Sequence, residues 1–236
     1  VDVAKLASVM RSYYQGTQFD QTIGLAGGPF GTPDHVAGVS ATGKVKGNWE
    51  RTIGLFRTSD SHIVQSRGWL PNQTGGVLWW GAHAAPYTIY LPFVAGMTAL
   101  PDVTLGHHSK LDKETLFWRV RTVANLAQLK WSYAYEEVQA TQAKIEGEAV
   151  ALVGKMDALA KAGAVPDKKL NGAYSSFAEA TAEWLGEFAD MLLFKYADGF
   201  VSEWKDGTFD SVAVPYPDWW LKAVNFTGGP PPVPSA

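Results

Sequence analysis

The sequence predicts an α+β fold in which antiparallel sheets are flanked by long helices. Short segments with strand-like alternation crowd into residues 49–93, and the connections between them are too short for helical crossovers. After Pro101 the apolar residues change to a 3.6-residue period, which is typical of amphipathic helices. Because strands and helices are segregated along the chain, the pattern favours α+β layers over an alternating βαβ fold.

The composition is that of one substantial globular domain. The chain has 236 residues, of which 46% are hydrophobic and 18% are charged. We predict a single domain over 1–236, with mainly strands and loops in 1–110, mainly helices in 111–206 and an extended tail in 207–236. Ten tryptophans predict a large aromatic core, an interface or both. The net charge of −3, without a basic block, argues against nucleic acid as a partner.

A helix and a loop open the chain. Apolar residues recur at helical spacing from Val3 to Tyr13, which predicts a short amphipathic helix near residues 3–14. Glycines and prolines then dominate GLAGGPFGTPD, residues 24–34, and predict a loop.

Four strands should follow, joined as an antiparallel meander. Their predicted ranges are 52–59, 62–67, 76–81 and 87–93. In the first strand, alternation would place Arg51, Arg57 and Ser59 on one face. Asp60 and Ser61 would form the tight turn into the second strand.

Two long helices account for most of the rest. The first is predicted from Asp112 to about Lys161, with Gly163 and Pro166 ending it. The second is predicted from about Ala173 to Glu203. The final GGPPPVPSA can form neither a helix nor a central strand, so an ordered tail would need support such as a neighbouring chain.

The absence of cysteine limits the chemistry of this chain. Without cysteine there is no intrachain disulfide, no thiolate metal site and no thiol nucleophile in it. No apolar run approaches the ~18 residues of a membrane span, and we expect no signal peptide at Val1. The first residue is not Met and a helix-like segment follows it directly, so we expect a processed chain or a fragment.

Several segments resemble a known enzyme family. In chain order they are RSYYQGTQFD (11–20), GLAGGPFGTP (24–33), RTIGLFR (51–57), GGVLWW (75–80), YLPFVAGMT (90–98) and LFKYADGF (193–200). Together and in this order they resemble the C-terminal half of the C69 (formerly U34) dipeptidases, a cysteine-nucleophile branch of the Ntn hydrolases.

The resemblance implies the C-terminal part of a four-layer αββα Ntn-hydrolase sandwich. In this family the nucleophile is a cysteine exposed by self-cleavage as the first residue of the N-terminal half, which has no counterpart here. Its thiolate attacks the peptide carbonyl, and its own α-amine is the base. The resemblance therefore implies dipeptide hydrolysis without a cofactor. The cysteine would lie on a separate N-terminal chain from the same precursor, with strands of both chains in the same sheets, and this chain alone would be inactive.

Two alternatives to a dipeptidase remain open. The first is a non-catalytic relative that serves binding or assembly, with its tryptophan-rich surface as an interface. The second keeps the Ntn fold but acts as an amidase or acylase on non-peptide amides. Association into a higher homo-oligomer is also left open.

The candidate substrate-binding residues are Arg57, Arg51, Ser59 and Asp60. An arginine at the end of a strand can hold a substrate carboxylate through a bidentate pair or lower the pKa of a thiol. The alternative for each arginine is a structural ion pair with Asp60 or Glu50. Ser59 and Asp60 could orient the substrate or form a turn through side-chain hydrogen bonds.

Other aromatic and polar residues have mainly structural interpretations. Trp79 and Trp80 fall on opposite faces of a strand, and we predict that both pack in the core. His83 could reach a cleft or stay in solvent. The pair His107-His108 lacks further ligands at suitable spacing, so no metal site is predicted.

Two sequons, at Asn72 and Asn225, are candidate glycosylation sites in loop-like sequence. They slightly favour a secreted or vesicular, lysosome-like location.

Overall fold

The computed structural model describes residues 2–35, 40, 42–47 and 49–229. The helices are α1 Val3–Met10, α2 Asn72–Gly75, α3 Leu116–Ala127, α4 Trp131–Ala162, α5 Asp167–Tyr196 and α6 Asp218–Ala223. The strands are β1 Asp60–Ser66, β2 Gly76–Ala82, β3 Leu91–Val94, β4 Phe200–Lys205 and β5 Thr208–Ala213. The described part of the chain is therefore α+β, with antiparallel sheets and long helices, as the sequence predicts.

The main sheet is a three-stranded antiparallel meander in the order β1-β2-β3. Asp60 pairs with Ala82 at one end of the β1–β2 ladder, and Ser66 pairs with Gly76 at the other. The central strand β2 carries Trp79, which is 2% exposed, and Trp80, which packs against Phe93 with ring centroids 6.4 Å apart. The prediction that both tryptophans pack in the core is confirmed for Trp79, whereas Trp80 is partly buried and packs against the core from its edge.

Two hydrophobic cores lie along the long helices. The first contains residues of β3, α3, the N-terminal half of α4 and most of α5, among them Leu91, Val120, Trp131, Val138 and Leu192. The second contains residues of α1, β1, β2, the C-terminal half of α4 and the start of α5, among them Ile63, Trp79, Val153, Met156 and Leu170. Both α4 and α5 thus pass from one core into the other.

The first long helix is interrupted where the sequence predicts continuity. A 3₁₀ turn at Gln128–Lys130 separates α3 from α4, and Lys130 leaves the helical region at φ −147° and ψ 64°. The ammonium of this buried lysine lies 4.1 Å from the centroid of the Phe30 ring, a cation–π contact. The backbone N–H of Ser132 donates to the Phe30 carbonyl at 3.1 Å. The break therefore brings Lys130 and Ser132 against the glycine-rich loop. Helix α4 ends at Ala162 with Gly163 as its C-cap, close to the predicted end at about Lys161.

The predicted strand at 52–59 is wrong. The segment forms turns, and its backbone groups bond elsewhere: the Gly54 N–H donates to the Ser12 carbonyl at 3.0 Å. The Tyr14 hydroxyl donates to the Arg51 carbonyl at 2.7 Å. With these groups bound to Ser12 and Tyr14, which follow α1, the segment lies outside the main sheet. Asp60 accordingly begins β1 instead of forming a turn.

Gly54 is expected to tolerate no larger side chain. A Cβ built there would lie 2.5 Å from Pro86 Cγ and 3.2 Å from the Arg11 carbonyl carbon. We expect Gly54→Ala to lower the free energy of unfolding by about 1–3 kcal/mol, because overpacking forces the neighbours apart. Urea unfolding measures the change. The control is Gly68→Ala, where a Cβ meets nothing within 4 Å; equal losses in both variants would contradict the packing argument.

The C-terminal region holds more structure than an extended tail. The helix predicted at 173–203 runs from Asp167 to Tyr196 and is followed by the β4–β5 hairpin. Asp206 and Gly207 join these strands with φ of 49° and 77°, the signs that a tight I′ turn requires. The short helix α6 then follows. The prediction of an extended tail from residue 207 is therefore wrong for these elements, and its proline stretch at 230–236 lies outside the described residues.

In the part of the chain that the structure describes, no helix combines the length and apolarity that crossing a membrane requires.

Candidate functional site

A cavity of about 390 Å³ opens where the main sheet, the segment before β1 and helix α3 meet. The polar side chains that matter for its chemistry are Asp34, Arg57, Ser59, His83, Arg121 and Gln128. Phe56 and Phe117 add apolar surface. A concave pocket of this size with a few converging polar groups is the usual form of a small-molecule site.

Ser59 and His83 lie at the end of the β1–β2 ladder, where both line the cavity. The His83 N–H donates to the Ser59 carbonyl at 2.8 Å, which continues the ladder one step beyond the Asp60–Ala82 pair. His83 has a left-handed backbone with φ 62°, unusual for a residue other than glycine. Its side chain is buried, with 5% of the residue exposed. The structure thus places His83 in the cleft and not in solvent.

Two arginines line the cavity. Arg57 comes from the segment before β1, and Arg121 comes from α3. Within residues 2–35 and 49–229, neither guanidinium forms an ion pair. Arg121 lies over the Trp118 ring, 4.9 Å from its centroid. Each guanidinium keeps planar donors of the kind that bind carboxylates in bidentate fashion.

A hydrogen-bonded network holds Asp34 at the cavity wall. Tyr87 and Gln128 donate to its Oδ2 at 2.7 and 2.8 Å, and Trp131 Nε1 donates to the Tyr87 oxygen at 3.1 Å. The Thr32 hydroxyl donates to Gln128 Oε1 and fixes that amide. Burial raises the pKa of Asp34 to about 6, although the hydrogen bonds from Tyr87 and Gln128 oppose the rise. The carboxylate is therefore mostly ionised at neutral pH.

The electrostatics keep His83 neutral. Burial and the positive charge of Arg121 lower the pKa of His83 to about 4. The backbone N–H of Ala84 donates to His83 Nδ1 at 2.6 Å. Above pH 5 the ring is consequently an uncharged imidazole.

Asp34 should give the protein a stability that falls as pH rises from about 4 to 6. In this window the folded protein holds a proton that the unfolded chain has released, because the folded pKa lies above the unfolded one. Between pH 4 and 7 we expect the free energy of unfolding of the wild-type protein to fall by about 2 kcal/mol relative to that of Asp34→Asn. The asparagine of this variant cannot titrate. Urea unfolding of both proteins at each pH gives the difference. Parallel pH dependences would show that Asp34 has an ordinary pKa.

The structure separates the four predicted substrate-binding residues. Arg57 and Ser59 line the cavity, whereas Arg51 and Asp60 do not. The shared strand face that grouped Arg51 with Arg57 does not form, since the segment turns at Gly54. Neither arginine pairs with Asp60 or Glu50 among the described residues. Their role in substrate binding stays a prediction.

Sequence reasoning missed Asp34, Arg121 and Gln128. The only local signal for Arg121 is its place on α3, one turn after Phe117. Asp34 directly follows the GPFGTP segment, which draws attention to the loop but not to its carboxylate. No local pattern predicts that these residues meet.

The remaining sequence candidates lie on the surface. Asn72 is exposed at the start of α2 and not in a loop, while Asn225 is exposed with a left-handed backbone, φ 56°. Their glycosylation stays a prediction. His107 and His108 stack on each other with centroids 4.7 Å apart. Across the described ranges, no three His, Asp or Glu side chains are grouped so that they could hold a metal ion.

Comparison with known proteins finds relatives that are named as dipeptidases in several bacteria. A protein named probable dipeptidase A from Streptococcus pyogenes serotype M3 is 24% identical over 133 residues, which is 56% of this chain and 25% of that protein. A probable dipeptidase from Salmonella dublin is 28% identical over 144 residues, 55% of this chain and 27% of the relative. A dipeptidase from Bifidobacterium longum is 24% identical over 157 residues, 66% and 26% respectively.

The chain matches about a quarter of the length of these relatives. The sequence profile of peptidase family C69 matches residues 1–144, more than half of the chain. That range contains Asp34, Arg57, His83 and Arg121, so the cavity residues lie within the matched region. The chain belongs to peptidase family C69.

Proposed function

We propose that this chain is the non-nucleophile part of a cysteine-type Ntn dipeptidase. The observation that carries the proposal is a family match whose range includes a cavity with two arginines that have no ion-pair partner among the described residues. The chain has no cysteine, so the thiol comes from outside residues 1–236, on a separate chain cut from the same precursor. The names of the relatives support dipeptides as substrates.

The cavity suits a small zwitterion. Arg57 and Arg121 supply donors for the substrate carboxylate. Asp34 lines the same cavity, and both of its donors bind Oδ2, which leaves Oδ1 without a donor among the described residues. Ionised Asp34 can therefore accept a hydrogen bond from the substrate ammonium. The α-amine of the incoming cysteine takes the thiol proton, and the thiolate attacks the peptide carbonyl. The proton then passes to the leaving amine as the C–N bond breaks, and water hydrolyses the resulting thioester to regenerate the thiol.

The open edge of the main sheet is an argument for a partner strand. β1 is the edge strand of the described three-stranded sheet, so one row of its backbone groups has no neighbour there. Val64 on β1 is 67% exposed, and Leu78 beside it on β2 is 37% exposed. A strand of the nucleophile chain would pair with the free backbone groups of β1, and a second sheet packed on this face would cover both side chains. The result would be a complete four-layer αββα sandwich.

Mass spectrometry of the purified protein tests the two-chain form. We expect a second polypeptide that begins with cysteine and stays bound to this chain through purification. A single species of 25.6 kDa would contradict the proposal of a separate nucleophile chain.

An activity panel tests the reaction itself. Dipeptides should be hydrolysed, and a thiol alkylating reagent should abolish the hydrolysis. Acylated amino acids of matched side chain serve as the comparison. Preference for these would favour an amidase or acylase, and no turnover of either class would favour a non-catalytic relative.

A further inference from the structure

His83 lines the cavity with a strained backbone and a ring held by specific contacts. Its left-handed backbone, φ 62°, is a conformation that costs energy for a side chain with a Cβ. The contacts that hold it are the backbone bond to Ser59 at 2.8 Å and the Phe117 ring, whose centroid is 5.3 Å from the imidazole. Such strain is concentrated at active sites and ligand-binding sites in proteins, which points to a functional role for the orientation of this ring.

The hydrogen bonds define the tautomer of His83. Because the Ala84 N–H donates to Nδ1 at 2.6 Å, Nδ1 has to present its lone pair. The proton of the neutral ring then lies on Nε2. This Nε2 has no hydrogen-bond partner in the described part of the chain, yet it is not among the unpartnered atoms sealed from solvent. The cavity that His83 lines gives access to it.

We propose that His83 is a specificity-determining residue that donates its Nε2–H to the ligand carboxylate, beside the guanidinium of Arg121. His83 takes up no proton in the reaction. The identity of the ligand as a dipeptide rests on the proposed function. The ring adds a directed donor to the arginines without adding a third positive charge.

The surroundings of His83 agree with a fixed neutral donor. Arg121 faces it from α3, and Phe117 of the same helix packs on the ring. Arg57, Asp34 and His108 line the same cavity. A proton added at Nδ1 would point at the Ala84 N–H, so two hydrogens would meet where one hydrogen bond exists now. Burial beside Arg121 acts in the same direction.

Nuclear magnetic resonance of ¹⁵N-labelled protein, purified with any chain that accompanies it, tests the donor directly. The His83 signals are identified by their loss in His83→Gln. We expect an unprotonated Nδ1 and a protonated Nε2 throughout pH 5–8, and a saturable shift of the Nε2–H signal on adding acetate. Acetamide, which is uncharged, should shift it much less. A ring that titrates between pH 5 and 8, or a signal that acetate leaves unmoved, would overturn the proposal.

A pair of variants separates donation from structure. His83→Gln keeps an N–H donor, whereas His83→Met has similar length and none. Both are unbranched at Cβ, so the left-handed backbone strains them alike. Acetate affinity, and KM for a dipeptide, should worsen about tenfold in His83→Met and about threefold or less in His83→Gln. Equal losses of affinity in the two variants would show that His83 has only a structural role. If acetate binds as expected but no dipeptide is hydrolysed, the proposed function fails and the donor stands.

Discussion

Replacing Glu146 by glutamine is expected to lower the free energy of unfolding by about 3 kcal/mol or more. Arg11 donates to both carboxylate oxygens of Glu146, at 2.5 and 3.1 Å, and the Tyr90 N–H donates to Oε1 at 2.8 Å. The side chains of Arg11 and Glu146 are only 15% and 17% exposed. Removing the negative charge leaves the Arg11 guanidinium without a counter-charge in a place that is poorly hydrated. Urea unfolding at neutral pH measures the loss.

The size of this effect follows from what Arg11 connects. Besides Glu146 on α4, its guanidinium donates to the carbonyls of Ala85 and Thr88 at 3.3 and 3.0 Å. The pair thus joins α1, the loop before β3 and α4. The matched control is Glu148→Gln, an exposed position on the same helix, which should change stability by less than about 0.5 kcal/mol. Similar losses at both positions would show that the pair contributes little.

Replacing Arg57 by glutamine is expected to lower kcat/KM for dipeptides about tenfold to a hundredfold, mainly through KM. Its guanidinium lines the cavity and has no ion-pair partner among the described residues, so it is available to a substrate carboxylate. The residue is exposed, so its loss should leave folding intact. Steady-state kinetics of the variant with a set of dipeptides measures the effect.

Arg51→Gln is the matched control for Arg57→Gln. The two arginines are close in sequence and both are exposed, but Arg51 does not line the cavity. We expect near wild-type kinetics for this variant. A dipeptide with an amidated C-terminus should also be a poor substrate for wild-type protein. Its hydrolysis should change little in Arg57→Gln, because it has no carboxylate for the arginine to bind. If Arg51→Gln caused the same loss, the effect of Arg57→Gln would come from the general positive charge of the surface and not from a contact in the cavity.

The fold could be predicted where local pattern decides structure. The alternation around Trp79 and Trp80 and the short connections specify a meander, because side-chain period and loop length are properties of the segment itself. Residues 51–59 alternate just as well, but no strand in the described part of the chain pairs with them. Gly54 and Arg51 instead bond to Ser12 and Tyr14, far away in sequence. Alternation shows that a segment is able to form a strand, and a tertiary partner decides whether it does.

The candidate site could be predicted only in part. Arg57 and Ser59 lie in the cavity, although the strand face that suggested them does not exist. Asp34, His83 and Arg121 come from a loop, a strand end and a helix. Their meeting depends on how α3 packs on the sheet, and one sequence contains no measure of that packing.

The course of α4 and α5 through both hydrophobic cores has a consequence for unfolding. Each helix contributes to one core near one end and to the other core near its opposite end. Melting either core alone would leave one part of each helix packed and the other part without packing, at the cost of a helix–coil junction inside both helices. The two cores therefore gain and lose order as one cooperative unit, and heat or urea should give coincident transitions for probes placed in each.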